Sequence, residues 1–436
     1  HPPRRMGWGA NDMGCGDRLR FHRPAHWDNL IEHPPKEPAR LMNSGETSAR
    51  RQGLPLWNLA FRAGFLAAGM FAVAAMLRWL YWMAVPESWN YSISPNWWHA
   101  HEMVFGFAMP VVAGFLLSAV ATWTGIPGTR GRRLQALFGL WLLARGLLWL
   151  APQHLLWAWL AEMLFLALLS YELGSRVWAR RQWRNLLFLP VLLILAVLDT
   201  ISFSNADDPQ LTTRLFYGTV WMITVLVVII GGRVIPLFTG NRLGFKITPL
   251  PPGFDYLAIG ITALIGLVTA FTPWPDSATW LRPLCLTGAF IHLYRLYRWQ
   301  GWKTFAIPLL WSMHLSYLCI PLAMLGLALT GSDPIAGKNI MHLLAVGTIG
   351  GMIISMMSRV SLGHTGRPLE VPNYLAWAFA LVLLAAVIRA LLPLAAPPLT
   401  PWAWQLSALL WMIAFSAFLW RYLPILTRPR VDNKAG

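Results

Sequence analysis

From Leu56 to Pro424 the chain alternates long apolar stretches with short polar connections. Twelve stretches reach the roughly 20 residues an α-helix needs to cross the hydrocarbon core of a bilayer. They cover 56–85, 95–123, 134–150, 154–177, 186–203, 211–230, 254–271, 280–298, 304–329, 334–357, 374–392 and 401–424. The pattern predicts an all-α polytopic membrane protein with twelve transmembrane helices. The connections alternate in charge. Arg130, Arg132 and Arg133, Arg176 to Arg184, Arg233 to Lys246, Arg295 to Lys303, Arg359 with Arg367, and Arg428 with Arg430 fall on one side. Glu87, Asp207 and Asp208, Asp276, and Asp333 with Lys338 fall on the other. Short loops retain Lys and Arg on the cytoplasmic side, so both termini are expected there.

An internal register runs through this pattern. Thr124-Gly125, Thr239-Gly240 and Thr365-Gly366 each follow a long apolar run, and 23 positions upstream of each Thr lie His101, Phe216 and His342. Spans 2 and 10 open alike, at Ser94-Pro95 and Asp333-Pro334, each a capping residue followed by proline at the first helical position. At 1.5 Å per residue, His101 and His342 then lie about 9 and 12 Å down helices that point the same way. Spans 2, 6 and 10 read as the second members of three four-helix units, as in a pseudo-threefold repeat.

Composition agrees. Of 436 residues 56% are hydrophobic and 12% charged, about half the charge of a soluble domain, and the mean hydropathy is +0.49. A formal net charge of +17 is spread between apolar runs, which fits membrane orientation rather than nucleic-acid binding. Cys15, Cys285 and Cys319 form no close pair and no haem-attachment motif, so any haem is held non-covalently. Residues 1–53, rich in Pro, Arg and Gly, read as a disordered or artefactual extension, with Met42 a plausible start. Residues 54–424 form the twelve-helix domain and 425–436 a cytoplasmic tail.

Ionisable groups inside a membrane are costly and usually face the bundle interior with a partner or a task. Neutral imidazole suits a haem or copper ligand there. His101 and His342, matched in register, are expected to face one another as ligands, against the plainer reading of interhelical hydrogen bonds. His99 lies two residues before His101 and therefore about 200° around the helix. It has three readings: a second metal ligand, a donor to a haem propionate, or an interfacial group. Glu102 would orient an imidazole, take a proton or pair with an arginine. His314, near Met313 and Cys319, offers donors that suit copper. His292 is expected at the interface, and His154 is the weakest candidate. Gly347 and Gly350 give room for a flat ligand or for simple helix packing. Arg359, His364 and Arg367 would contact an anion or merely satisfy orientation. Arg145 and Glu162 are expected to form an intramembrane ion pair.

The run from Trp98-His99-Ala100-His101-Glu102 through Gly106-Phe107 to Trp123-Thr124-Gly125 resembles the NnrS family of bacterial membrane proteins. So do Gly232-Arg233-Val234-Ile235-Pro236, Trp311-Ser312-Met313-His314 with Tyr317, and His342-Leu343-Leu344 through Arg359-Val360 to His364-Thr365-Gly366-Arg367. The likeness spans Leu54 to Tyr422. It implies a protein of the bacterial inner membrane with b-type haem and copper, in contact with membrane lipid, associated with denitrification and the stress response to nitric oxide. A membrane electron donor is implied if the haem turns over. Twelve helices with ligands on the second and tenth also look like the catalytic subunit of haem-copper oxidases. Here spans 6 and 7 lack the histidines that hold copper in those enzymes. Two other classes compete: a multispan transporter with the histidines lining a path, and a haem-holding sensor or assembly factor without turnover.

Overall fold

The computed structural model describes residues 55–273, 278–331 and 333–432. The extension expected over 1–53, with Cys15, and the loop residue Asp276 lie outside the described residues. Among the described residues every regular element is helical. The long helices are α1 (Ala60–Ala84), α2 (Pro95–Thr124), α3 (Arg132–Leu150), α4 (Leu155–Ala179), α5 (Phe188–Ser204) and α6 (Pro209–Leu243). They continue with α7 (Pro252–Phe271), α8 (Ala278–Trp299), α9 (Pro308–Thr330), α10 (Pro334–His364), α11 (Asn373–Ala395) and α12 (Thr400–Thr427).

Eleven of these are both long and apolar enough to cross a membrane. The helix α8 has the length, at 22 residues, but carries Arg282, Arg295 and Arg298 and falls short in apolarity. It packs against α7 and α9 all the same, and Arg295 is only 1% exposed because it turns inward. Consecutive helices pack on one another, α4 meets α5, α8 meets α9, and α12 returns to α1. Contacts of α2 with α4, α6 with α8 and α10 with α12 recur at an interval of four helices.

The starts of α2, α6 and α10 share one device. Ser94 Oγ accepts the Trp97 N–H at 3.1 Å, Asp208 Oδ1 accepts those of Gln210 and Leu211 at 3.0 Å, and Asp333 Oδ1 accepts those of Ile335 and Ala336. Each cap is followed by proline, whose missing N–H is no loss in the first turn. The apolar run alone places the start of span 6 at Leu211, beyond its cap, and its end at Ile230. Instead α6 runs on through Pro236 and Thr239-Gly240 to Gly244, the glycine whose φ of 73° ends the helix. Only the first and third Thr-Gly pairs stand at helix ends, where Gly125 and Gly366 take φ of 67° and 74°. Side chains rarely tolerate that left-handed backbone.

Candidate functional site

Two helices widen at matching places. In α2 a π-helical stretch covers Glu102–Ala108, and in α10 another covers Leu343–Gly350. Each begins one residue after the histidine singled out by register. A π turn bonds i to i+5, swells the helix and rotates the residues beyond it, and such turns concentrate at functional sites. Here both stretches wall one cavity: Met103, Val104 and Phe107 from α2 face Ala345, Val346 and Ile349 from α10.

The cavity measures about 530 Å³, within the roughly 300–1,000 Å³ of small-molecule and cofactor sites. It lies at the end of the bundle where α2, α6 and α10 begin. Trp79, Trp82, Trp97, Phe216 and Trp411 supply aromatic walls, and His99 and His342 are both on the lining. His342 donates its Nδ1–H to the Lys338 carbonyl at 2.9 Å, which fixes the tautomer and leaves the lone pair on Nε2. His99 stacks on Trp79, with ring centroids 4.1 Å apart, and its buried Nδ1 has no hydrogen-bond partner. Arg389 and Lys338 also line the cavity and lie within electrostatic range of both imidazoles.

His101 is placed differently from the sequence expectation. Its ring is fully buried outside the cavity lining, between two carboxylates: Nδ1 lies 3.0 Å from Glu102 Oε1 and Nε2 3.2 Å from Asp199 Oδ1. Both nitrogens lie against carboxylates, and the residue is not on the cavity lining. Trp97 forms the partition, lining the cavity and stacking on the His101 ring at 4.7 Å and 7°. The physical reason is azimuth: residues two apart on a helix face opposite ways, so only one of His99 and His101 can look into the cavity. Arg145 completes the cluster, 3.0 Å from Glu102 Oε1 and hydrogen-bonded to Glu162, and Trp149 Nε1 donates to Glu102 at 3.2 Å. The expected Arg145 and Glu162 pair is therefore present within a larger network. Asp199, alone in the apolar run of α5, is a site residue the sequence reading lacks, although an intramembrane carboxylate is itself a signal.

With this geometry in view, comparison with known proteins is specific. Residues 55–430 match the family model described as NnrS protein. The chain belongs to the NnrS family. Among curated proteins no match to it is found.

The other motifs of this NnrS-family chain are dispersed. His314 of the Trp311 to His314 motif is buried and away from the cavity lining; it bonds through Nε2 to Thr239 Oγ1 at 2.9 Å, and its buried Nδ1 has no hydrogen-bond partner. Gly347 and Gly350 are not on the cavity lining. A Cβ on Gly347 would lie 2.6 Å from Cys319 Sγ, and one on Gly350 would lie 2.3 Å from the Trp411 ring, so both serve close packing. Arg359 stacks over Phe238 at 3.8 Å. The His364 carbonyl accepts from Arg430 at 2.6 Å. Arg367 lies with these at the opposite end of α10 from the cavity. His292, expected at the interface, is fully buried, with Nε2 bonded to Thr262 at 2.9 Å and Nδ1 to Tyr317 at 2.8 Å. Tyr317 also bonds Arg295, which pairs with Asp255 at 3.0 Å. The family motif Tyr317 is thus the centre of a second polar network joining α7, α8 and α9. Among the described residues no three His, Cys, Asp or Glu side chains gather as a metal-holding group.

Proposed function

We propose that this NnrS-family protein binds a b-type haem in the cavity between α2 and α10, with His342 and His99 as the facing imidazoles, and acts in nitric oxide tolerance at the bacterial inner membrane. The observation that carries the reading is the placement of two histidines from separate helices on the wall of one aromatic cavity of about 530 Å³. The residues fit the group. His342 presents Nε2 with Nδ1 already satisfied, the arrangement that orients ligating histidines. His99 carries an orphaned buried nitrogen, and burying a polar group without a partner is costly. The cavity flanks are cut back to Ala100, Ala108, Ala345 and Ala408, and Trp79 holds the His99 ring flat.

A haem held there by both imidazoles would supply one-electron redox chemistry, and loss or displacement of one imidazole would open the iron to a small ligand such as nitric oxide. The chain's own residues exclude water with the tryptophan and phenylalanine walls and hold both imidazoles beside the cations Arg389 and Lys338. Copper has no three-residue donor set among the described residues, so it rests on the family likeness alone. The positive connections support cytoplasmic termini. A fluorescent protein fused at the C-terminus, folding only in the cytoplasm, is expected to be bright in whole cells. A dark fusion, with the same fusion at the other face of the bundle bright, would invert the topology.

The deciding experiment is an ultraviolet-visible spectrum with iron and copper analysis on protein purified after haem-replete expression. A Soret band with near-equimolar iron is expected, lost or strongly shifted in His342→Ala and His99→Ala. Well-folded protein without a Soret band would sink the haem reading. A transporter would be indicated instead by absence of metal, and a sensor or assembly factor by haem without nitric oxide consumption in membranes.

A further inference from the structure

Two cations stand at the cavity with no carboxylate paired to them among the described residues. Arg389, on α11, is 8% exposed. Its Nη1 donates to Asn339 Oδ1 at 2.8 Å, and its guanidinium lies 5.1 Å from the Trp404 ring. The Lys338 ammonium lies 5.6 Å from the same ring. Asn339 is itself 5% exposed and neutral, and the Trp404 indole N–H is buried with no acceptor. Among the described residues no carboxylate pairs with Arg389 or Lys338.

A cation–π contact and one amide oxygen compensate a buried guanidinium only in part. Two like charges on one ring add repulsion. The remaining arginine N–H groups, the ammonium and the orphaned indole N–H all belong to residues on the lining of the same cavity. The contrast with the His101 network is informative, because there the buried arginine meets two carboxylates. The connections at this end of the bundle also carry Glu87, Asp207 and Asp208, so the two cations run against the local charge pattern and are not explained by orientation.

We infer that Arg389, Lys338 and Trp404 form a carboxylate subsite of the cavity, so that its ligand is an apolar body carrying carboxylates directed to this corner. The inference rests on the haem reading, for which the carboxylates are the porphyrin propionates. Arginine takes such a group in a charge-assisted, two-pronged contact. The same anion-on-apolar-body chemistry belongs to an acidic phospholipid, so the test separates the two.

Haem-free full-length protein in neutral detergent is titrated with haemin and with haemin dimethyl ester, whose carboxylates are masked, following the Soret shift and tryptophan quenching. Haemin is expected to bind on the order of tenfold or more tighter than the ester. Arg389→Gln, which keeps an amide partner for Asn339, is expected to weaken haemin by a similar factor and leave the ester unchanged. Equal affinity of the two probes for the wild type overturns the subsite while sparing the haem reading. Equal weakening of both probes by Arg389→Gln assigns the residue a merely structural role and also overturns it. If neither probe binds, the haem reading fails and this subsite with it. Phosphatidylglycerol added to the detergent is expected to leave haemin binding unchanged; competition lost in Arg389→Gln would give the corner to a lipid headgroup and overturn the assignment to porphyrin.

Discussion

Arg145→Met is expected to leave little folded protein in the membrane. Arg145 is 3% exposed and is the cation shared by Glu102 and Glu162, which are fully buried. Without it, three buried carboxylates, Glu102, Glu162 and Asp199, would face His101 alone. Removing one partner of a buried ion pair costs about 3–5 kcal/mol, a large share of the 5–15 kcal/mol typical of a folded domain. Yield after detergent extraction and the unfolding temperature of the purified protein measure the effect. The asymmetry of the penalty supplies an internal check: the double variant Arg145→Met with Glu162→Met removes both charges of one pair and should recover part of the loss. An Arg145→Met protein as stable as the wild type would mean that water reaches this cluster, contrary to its burial.

Gly64→Leu should be comparably damaging for a purely steric reason. Where α1 crosses α2, even a Cβ on Gly64 would sit 2.3 Å from the Pro110 carbonyl oxygen and 3.0 Å from the Gly114 Cα. Both obstacles are backbone, so no side-chain rotation relieves them and the helices must part. Overpacking typically costs about 1–3 kcal/mol when neighbours adjust, and here the leucine exceeds that range. Small residues at the crossing, Ala60 and Gly64 of α1 and Gly114 of α2, permit the close approach that drives helix association in lipid. Gly139→Ala is the control. A Cβ there meets nothing within 4 Å, so helix propensity alone should hold its stability level or raise it by up to about 1 kcal/mol. Thermal unfolding of the two variants side by side reports the contrast, and a Gly64→Leu protein matching Gly139→Ala would refute the crossing.

The helices are legible in the sequence because a membrane imposes one coarse requirement, length of apolar run, and the chain states it openly. Span 8 shows how that signal weakens: Arg295 counts against a window average, yet in the fold it turns inward to Tyr317 and Asp255. The end of span 6 is deceptive because Gly231, Gly232, Arg233 and Pro236 look like a terminus, while the helix continues through them. Counting residues from the Thr-Gly pairs reaches a cavity-lining histidine on α10, His342, but misses the cavity face on α2. The count singles out His101, and the side chain on the cavity belongs to His99. Asp199 stands out as a lone carboxylate in an apolar run, but its partner His101, like the partners of Arg389, lies on another helix, and no spacing rule links them.

The π turns have a consequence for how such a helix can be built. Each accommodates roughly one residue more than a regular turn, so the segments before and after it are out of phase by about 100°. The part of α10 near His342 and the part near Arg359 therefore present unrelated sides to their neighbours, as two short rods spliced with a twist would. One continuous helix can then point its chemistry at a chamber near one surface of the membrane while docking by a different flank near the other, and each end is free to change without re-aiming its counterpart.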